Sequence, residues 1–115
     1  MIAVIFELTP KLGEREAYLK IAADLKQHLE RLDGFLSVER FESLTEPGKL
    51  LSLSFWRDEQ AVQQWRNLEV HRLAQSAGRQ THFACYRLRV AQVMRDYGLL
   101  EREQAPLDSQ ERHKA

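Results

Sequence analysis

The fold is decided by residues 35–56, which read FLSVERFESLTEPGKLLSLSFW. Residues 35–43 alternate loosely between apolar and polar side chains. Residues 49–56 alternate more strictly, with Leu51, Leu53 and Phe55 on one side and serines on the other. Both patterns indicate β-strands. Residues 45–48 favour a turn, because proline presets φ and glycine accepts positive φ. The stretch therefore predicts a β-hairpin.

A strand and a helix precede the hairpin. Residues 1–8 are apolar and rich in β-branched side chains, which predicts a strand buried on both faces. Between positions 13 and 32, apolar residues recur at intervals of three and four, as on one face of a helix. They are Tyr18, Ala22, Leu25, Leu29 and Leu32. Asp33 and Gly34 follow as a helix stop.

Helical and strand patterns also follow the hairpin. Asp58 is expected to be the N-cap of a short helix over residues 59–67. A second helical stretch is predicted from residue 70 to about residue 78. Alternation over residues 83–94 predicts a last strand. Residues 99–115 are charged and contain a proline, so we expect an extended C-terminal tail that becomes ordered only on docking.

The predicted order, β-α-β-β-α-β, is that of the ferredoxin-like fold. This α+β fold packs its helices on one face of a four-stranded antiparallel sheet. We expect it to occupy residues 1–98, with the tail outside it. Because the strands carry large apolar residues on both sides, a sheet from a second copy is the natural cover for the other face. The sequence therefore predicts a homodimer.

Length and composition exclude several classes of protein. A chain of 115 residues has room for one core and one domain. Seventeen basic and seventeen acidic residues give zero net charge, which argues against a nucleic-acid partner. The single cysteine, Cys85, excludes a disulfide framework or a cysteine-rich zinc site, and we expect it to be a small buried residue. Without a long apolar run or a secretory leader, we expect a cytoplasmic protein without membrane contact.

His71 and Trp65 are the first candidates for chemistry. A histidine has a pKa of about 6.5 and can accept a proton at neutral pH, so His71 is the candidate catalytic base. The alternative is a histidine at the surface or bonded to a backbone carbonyl. Trp65 could form the wall of an aromatic-binding cleft. The alternative is that Trp65 only fills the core.

Charges inside the strand patterns form a second set of candidates. Glu39, Arg87 and Arg89 could form a cross-strand network, since buried charges need partners. An arginine could also hold an anionic oxygen of a substrate. We assign Arg87 and Arg89 to substrate binding together with Tyr86, the alternative being a structural ion pair at a subunit contact. Arg40 also lies within a strand pattern. We expect no metal site, because the histidines lack helical metal-ligand spacing.

Together, several features resemble the antibiotic biosynthesis monooxygenase domain family. They are the hairpin start over residues 34–41, the run over residues 51–56, the pair of Ala61 and Trp65, and His71. The resemblance covers residues 1–98. It implies a dimeric α+β barrel, in which two ferredoxin-like sheets face each other. It also implies a cofactor-independent monooxygenase that oxidises a small aromatic or quinol-type substrate.

Other members of that family degrade heme. They use an asparagine, a tryptophan and a histidine, and the register places Phe6, Trp65 and Gln75 at those positions. Two of the three residues depart from the pattern, which disfavours heme degradation. The open alternative is a dimer that binds heme, a quinone or a small metabolite without turnover. The enzyme hypothesis predicts a pocket of about 300 Å³ or more between the sheet and the helices.

Overall fold

A computed structural model describes residues 1–75 and 83–112, with the side chains of 69–75 and 111–112 left outside the description. Its elements are β1 (Ile2–Pro10), α1 (Arg15–Leu29), β2 (Phe35–Glu42), β3 (Leu50–Trp56), α2 (Glu59–Gln75), β4 (Phe83–Gln92) and α3 (Leu107–Arg112). The strands form one antiparallel sheet in the order β2-β3-β1-β4. The predicted α+β ferredoxin-like fold is confirmed.

The helices α1 and α2 cover one face of the sheet. As predicted, α1 buries Tyr18, Ala22, Leu25 and Leu29 along one stripe. Two apolar clusters fill the space under the helices. The larger contains Ile2, Val4, Leu25, Leu29, Trp56, Ala61, Val62 and Trp65, and the smaller contains Phe6, Leu8, Tyr18, Ala22 and Leu50. The even-numbered residues of β1 therefore face the helices.

The second helical region is one helix, and the two separate stretches that we predicted are wrong. α2 continues through residues 67–69, because a single asparagine is only mildly unfavourable and neither proline nor glycine interrupts the segment. Residues 76–82, which include the end of the second predicted stretch, lie outside the described residues. The N-cap prediction is confirmed, since the backbone N–H of Ala61 donates to Oδ1 of Asp58 at 3.0 Å.

β3 turns its small polar residues toward the helices. The register pairs Ser54 with Val4 and Ser52 with Phe6, and both β1 partners belong to the clusters under the helices. Leu51, Leu53 and Phe55 consequently point to the opposite face of the sheet. We call this opposite face the open face. Its centre is apolar, with Ala3 and Ile5 of β1 beside those β3 residues.

The segment after β4 has local structure where we predicted an extended chain. Arg102 organises it by donating to the carbonyl of Gly98 at 3.1 Å and to Oγ of Ser109 at 2.8 Å. The same guanidinium lies 5.1 Å from the ring centre of Tyr97. These contacts hold a turn that leads into α3. Leucines of this segment stay uncovered, with Leu99 and Leu100 at 89% and 83% exposure.

Candidate active site

A cleft lies between α1 and the helix-facing side of the sheet. Its walls come from β1, β2, β3, α1 and α2. The lining residues are Phe6, Tyr18, Ile21, Ala22, Leu25, Leu29, Val38, Arg40, Ser52 and Trp65. The cleft exists because Ser52 occupies a position where a large residue would fill the space beneath α1.

The free volume of this cleft is small, at about 20 Å³. A cavity of roughly 10–15 Å³ is needed to hold a single water. The predicted pocket of about 300 Å³ between the sheet and the helices is therefore not present in this conformation, because side chains fill most of the space. A small-molecule ligand would have to widen the cleft by moving side chains of its walls.

Arg40 brings a charge into this cleft. It lies on β2 directly opposite Ser52 of β3, and both residues line the cleft. Its Nε is buried and has no hydrogen-bond partner among the residues that the structure describes. Leaving a buried donor unsatisfied costs about 1–3 kcal/mol, and more for a charged group. The cleft thus combines apolar walls with an arginine whose buried Nε has no acceptor among the described residues.

Of the two candidate residues on α2, the structure describes the side chain of Trp65 but not that of His71. Trp65 is buried, lines the cleft and packs against Trp56, with 6.3 Å between the ring centres. It is therefore both a wall of the cleft and a part of the core. His71 belongs to α2, but its side chain lies outside the described residues, as does that of Gln75.

Arg87 and Arg89 lie on the open face and not in the cleft. The register places Arg87 opposite Glu7, and Nη1 of Arg89 lies 3.4 Å from Oε2 of Glu7. The predicted network with Glu39 is wrong, because β2 and β4 are opposite edges of the sheet with two strands between them. Glu7 takes the role expected of Glu39. Its pKa is held below the ordinary value, mainly by the hydrogen bond from Lys49 and further by Arg89.

Tyr86 stands beside the cleft residue Phe6, with 5.8 Å between ring centres, but is itself 65% exposed. Together with Arg87 it lines a separate hollow of about 280 Å³ at the β4 edge of the sheet. Cys85 also lines this hollow and is exposed, so the expectation that it is buried is wrong. Cys85 is exposed because β4 is an edge strand, which has a neighbouring strand on one side only.

The sequence analysis named Arg40 among the charges within strand patterns but did not assign it to substrate binding. The alternation of β2 already places Val38 and Arg40 on one face. What the sequence does not show is which face of the sheet the helices cover.

Two kinds of feature were not found in the described part of the chain. Within residues 1–75 and 83–112, no helix is long and apolar enough to cross a bilayer. Over the same residues, no group of three or more histidine, cysteine or carboxylate side chains is arranged to hold a metal ion.

Comparisons with known proteins bear on both fold and function. The family described as antibiotic biosynthesis monooxygenase matches residues 1–77. A curated relative from Pyricularia oryzae, Jasmonate monooxygenase ABM, is 46% identical over 93 residues, which are 81% of this chain and 43% of the relative. The chain thus spans less than half the length of that relative.

Two solved structures share the fold. A protein from Mycobacterium tuberculosis aligns with a TM-score of 0.69 at 20% identity, over 84% of this chain and 98% of the other. The heme-degrader MhuD from the same organism, solved with two hemes in its active site, has a TM-score of 0.65 at 17% identity. That alignment covers 85% of this chain and 100% of MhuD. At such identities the likeness concerns the fold.

Proposed function

Because this chain belongs to the antibiotic biosynthesis monooxygenase family, we propose that it is a cofactor-independent monooxygenase that oxidises a small aromatic or quinol-type substrate. The observation that carries the proposal is the cleft under α1, which is lined by the aromatic side chains of Phe6, Tyr18 and Trp65 and by Arg40, whose buried Nε has no acceptor among the described residues. Flat apolar walls with few polar groups are typical of sites for small organic ligands.

In such a reaction the substrate supplies all the electrons. A phenol and O₂ give a quinone and water: one oxygen atom becomes the new carbonyl, and the other leaves as water with two hydrogens taken from the substrate. Removing the phenolic proton makes the ring a stronger electron donor toward O₂. A base beside an apolar cleft therefore provides the main catalytic requirement.

The residue roles follow from that chemistry. His71 is proposed as the base, since imidazole is the side chain suited to proton transfer at neutral pH. Trp65 is proposed as the wall against which the aromatic ring packs. Arg40 takes the role of anion holder that the sequence analysis gave to Arg87 and Arg89. Arg87 and Tyr86 stay candidates for ligand binding only at the hollow on the β4 edge, and Arg89 is not among the residues that line it.

The curated relative supports the reaction type. It is called a jasmonate monooxygenase, so its name gives the same class of reaction, oxygenation of an organic molecule. Because the chain covers 43% of that relative, the identity of the substrate belongs to the proposal.

A second candidate function is a dimer without turnover, in which the cleft binds a small molecule or is filled by side chains, and the free volume of about 20 Å³ fits a largely filled cleft. Heme degradation has less support. Phe6 is buried and its ring packs edge-on against Phe83 at 5.7 Å, where the resemblance expects an asparagine. A phenyl ring cannot donate the hydrogen bond that an amide offers.

We also propose that the chain acts as a homodimer that buries the open face. Ile5, Leu51, Leu53 and Phe55 are only half-buried in one chain, although they form the apolar centre of that face. Pairing two such faces would bury this surface, and burial of apolar area is the main favourable term in association.

Oxygen consumption by the full chain tests the enzyme proposal. The purified protein would be given phenols and hydroquinones under labelled O₂ with a metal chelator present. We expect one labelled atom in the product and one in water. His71→Ala should lower turnover about 100-fold or more, whereas His28→Ala on α1, outside the cleft lining, should not. If phenols bind but no oxygen is consumed, the enzyme proposal fails. Hemin would then be added to the protein, and a shift of its absorption band without loss of colour would favour ligand binding without turnover.

A further inference from the structure

We infer that Arg40 and Ser52 form a carboxylate-binding corner in the cleft, so that the ligand is an apolar aromatic acid rather than a neutral phenol. This inference rests on the proposed function for the identity of the site. It narrows the substrate class to phenolic or quinol-type acids.

The corner is built by the sheet register. Arg40 and Ser52 are direct partners on the neighbouring strands β2 and β3, and both line the cleft. Directly opposed side chains start about 4.5–5.5 Å apart at their Cβ atoms. A guanidinium and a hydroxyl therefore share one end of a cleft whose other described walls are aromatic and aliphatic.

The buried Nε of Arg40 has no acceptor among the described residues, whereas Arg15 and Arg89 each have a carboxylate partner. Arg15 pairs with Glu42 at 3.0 Å, and Arg89 lies 3.4 Å from Glu7. Glu42 stands two residues after Arg40 on the same face of β2, but Arg15 of α1 already engages it. Within the described residues, the buried Nε of Arg40 has no hydrogen-bond partner. A ligand that reaches the cleft would supply the missing acceptor.

The geometry of guanidinium favours a carboxylate over a phenol oxygen. Nε and one terminal nitrogen lie in a plane and bind the two oxygens of a carboxylate with two parallel hydrogen bonds. The buried, unpaired nitrogen of Arg40 is Nε, which is one of the two nitrogens in such a pairing. A neutral phenol would leave the positive charge uncompensated among apolar walls, which is costly. The hydroxyl of Ser52 can donate to the same carboxylate.

Calorimetric titration of the full chain tests this inference. The probes are benzoate and cinnamate, each compared with its primary amide, which has nearly the same shape and no charge. We expect each acid to bind more tightly than its amide. Arg40→Gln should weaken binding of the acids about 10- to 100-fold and leave that of the amides unchanged. Ser52→Ala should weaken binding of the acids by a smaller factor. Arg66→Gln, which alters an exposed arginine next to Trp65, should change neither.

Either of two results would overturn the inference. The first is that the acids bind no more tightly than their amides. The second is that Arg40→Gln binds the acids as tightly as the wild type, with a melting temperature that shows the variant to be folded. Turnover separates this inference from the proposed function. Oxidation of neutral phenols by a protein that binds the acids no more tightly than their amides would refute the carboxylate corner and keep the monooxygenase. Arg40-dependent acid binding without oxygen consumption would keep the corner and refute the monooxygenase.

Discussion

The indole Nε1 of Trp56 donates a hydrogen bond to Oγ of Ser54 at 2.9 Å inside the core, where the two residues are 0% and 3% exposed. Ser54→Ala leaves that indole N–H without its acceptor, so we expect a loss of about 1–3 kcal/mol in the free energy of unfolding. Urea denaturation followed by tryptophan fluorescence measures it. Ser52→Ala is the matched control on the same strand and face. Equal losses in both variants would mean that the hydrogen bond contributes nothing.

Gly34 packs against the first turn of α2. Its φ is 89°, and a Cβ added to it would lie 2.7 Å from the Cβ of Ala61. Gly34→Ala therefore combines left-handed backbone strain with a collision, and we expect a destabilisation of about 2 kcal/mol or more.

The matched control for that substitution is Gly48→Ala in the hairpin turn. Gly48 has a similar φ of 83°, but within the described residues no atom lies within 4 Å of the added Cβ. The free energy of unfolding of Gly48→Ala should fall only by the cost of the left-handed backbone, about 1–2 kcal/mol. Thermal unfolding of both variants gives the difference, and the absence of a difference would show that α2 shifts freely to admit the methyl group.

Asp58 links the N-terminus of α2 to the pH dependence of stability. Its pKa is lowered from the ordinary 3.8, first by the N–H of Ala61 and then by the hydrogen bond from Arg57. A depressed folded-state pKa stabilises the folded protein above the unfolded pKa, and this contribution disappears as the pH falls through the folded pKa.

Asp58→Asn isolates this charge, because asparagine is also a good N-cap. The wild type should resist urea better than the variant at neutral pH. The gap should close as the pH falls below 3.8, the ordinary pKa of the carboxyl group. Urea midpoints over a pH series measure it. A gap that stays constant into acid would contradict the electrostatic origin.

The order and type of the elements followed from periodicity and turn residues. The α1 stripe and the hairpin with Gly48 were predicted because each is local in sequence, and the Asp58 cap because it acts over one helical turn. The sequence analysis predicted two helices in place of α2, because a stretch with few apolar residues resembles a loop when its packing is unknown. The contacts around Arg102 were missed because they join residues with no periodic pattern.

The site was harder to predict because it depends on which strands are neighbours and which face the helices cover. Trp65 was predicted as a cleft wall from its helical position. Arg87 and Arg89 were assigned to substrate binding but lie on the open face and not in the cleft, since alternation within β4 does not say which side the helices cover. Arg40 and Ser52 meet through the β2–β3 register, and their common face became known only with the packing of α1.

The apolar centre of the open face predicts the oligomeric state. Light scattering after size exclusion should give twice the chain mass of 13.5 kDa. Leu53→Glu should give monomers, because a carboxylate at the centre of the buried face would lose its hydration without a partner. Leu12→Glu, at a fully exposed leucine, should stay dimeric. A wild-type mass of one chain would refute the dimer.

The unsatisfied nitrogen of Arg40 predicts that this residue lowers the stability of the free protein. Arg40→Met replaces it with a flexible apolar side chain of similar length, so the buried donor disappears and the cleft walls stay filled. We expect the free energy of unfolding to rise by about 1 kcal/mol while affinity for benzoate and cinnamate falls. Arg15→Met is the control, since it breaks a pair with Glu42 and should not stabilise the chain. If Arg40→Met instead unfolds more readily than the wild type, Arg40 supports the fold itself, and its missing acceptor cannot be ascribed to a ligand.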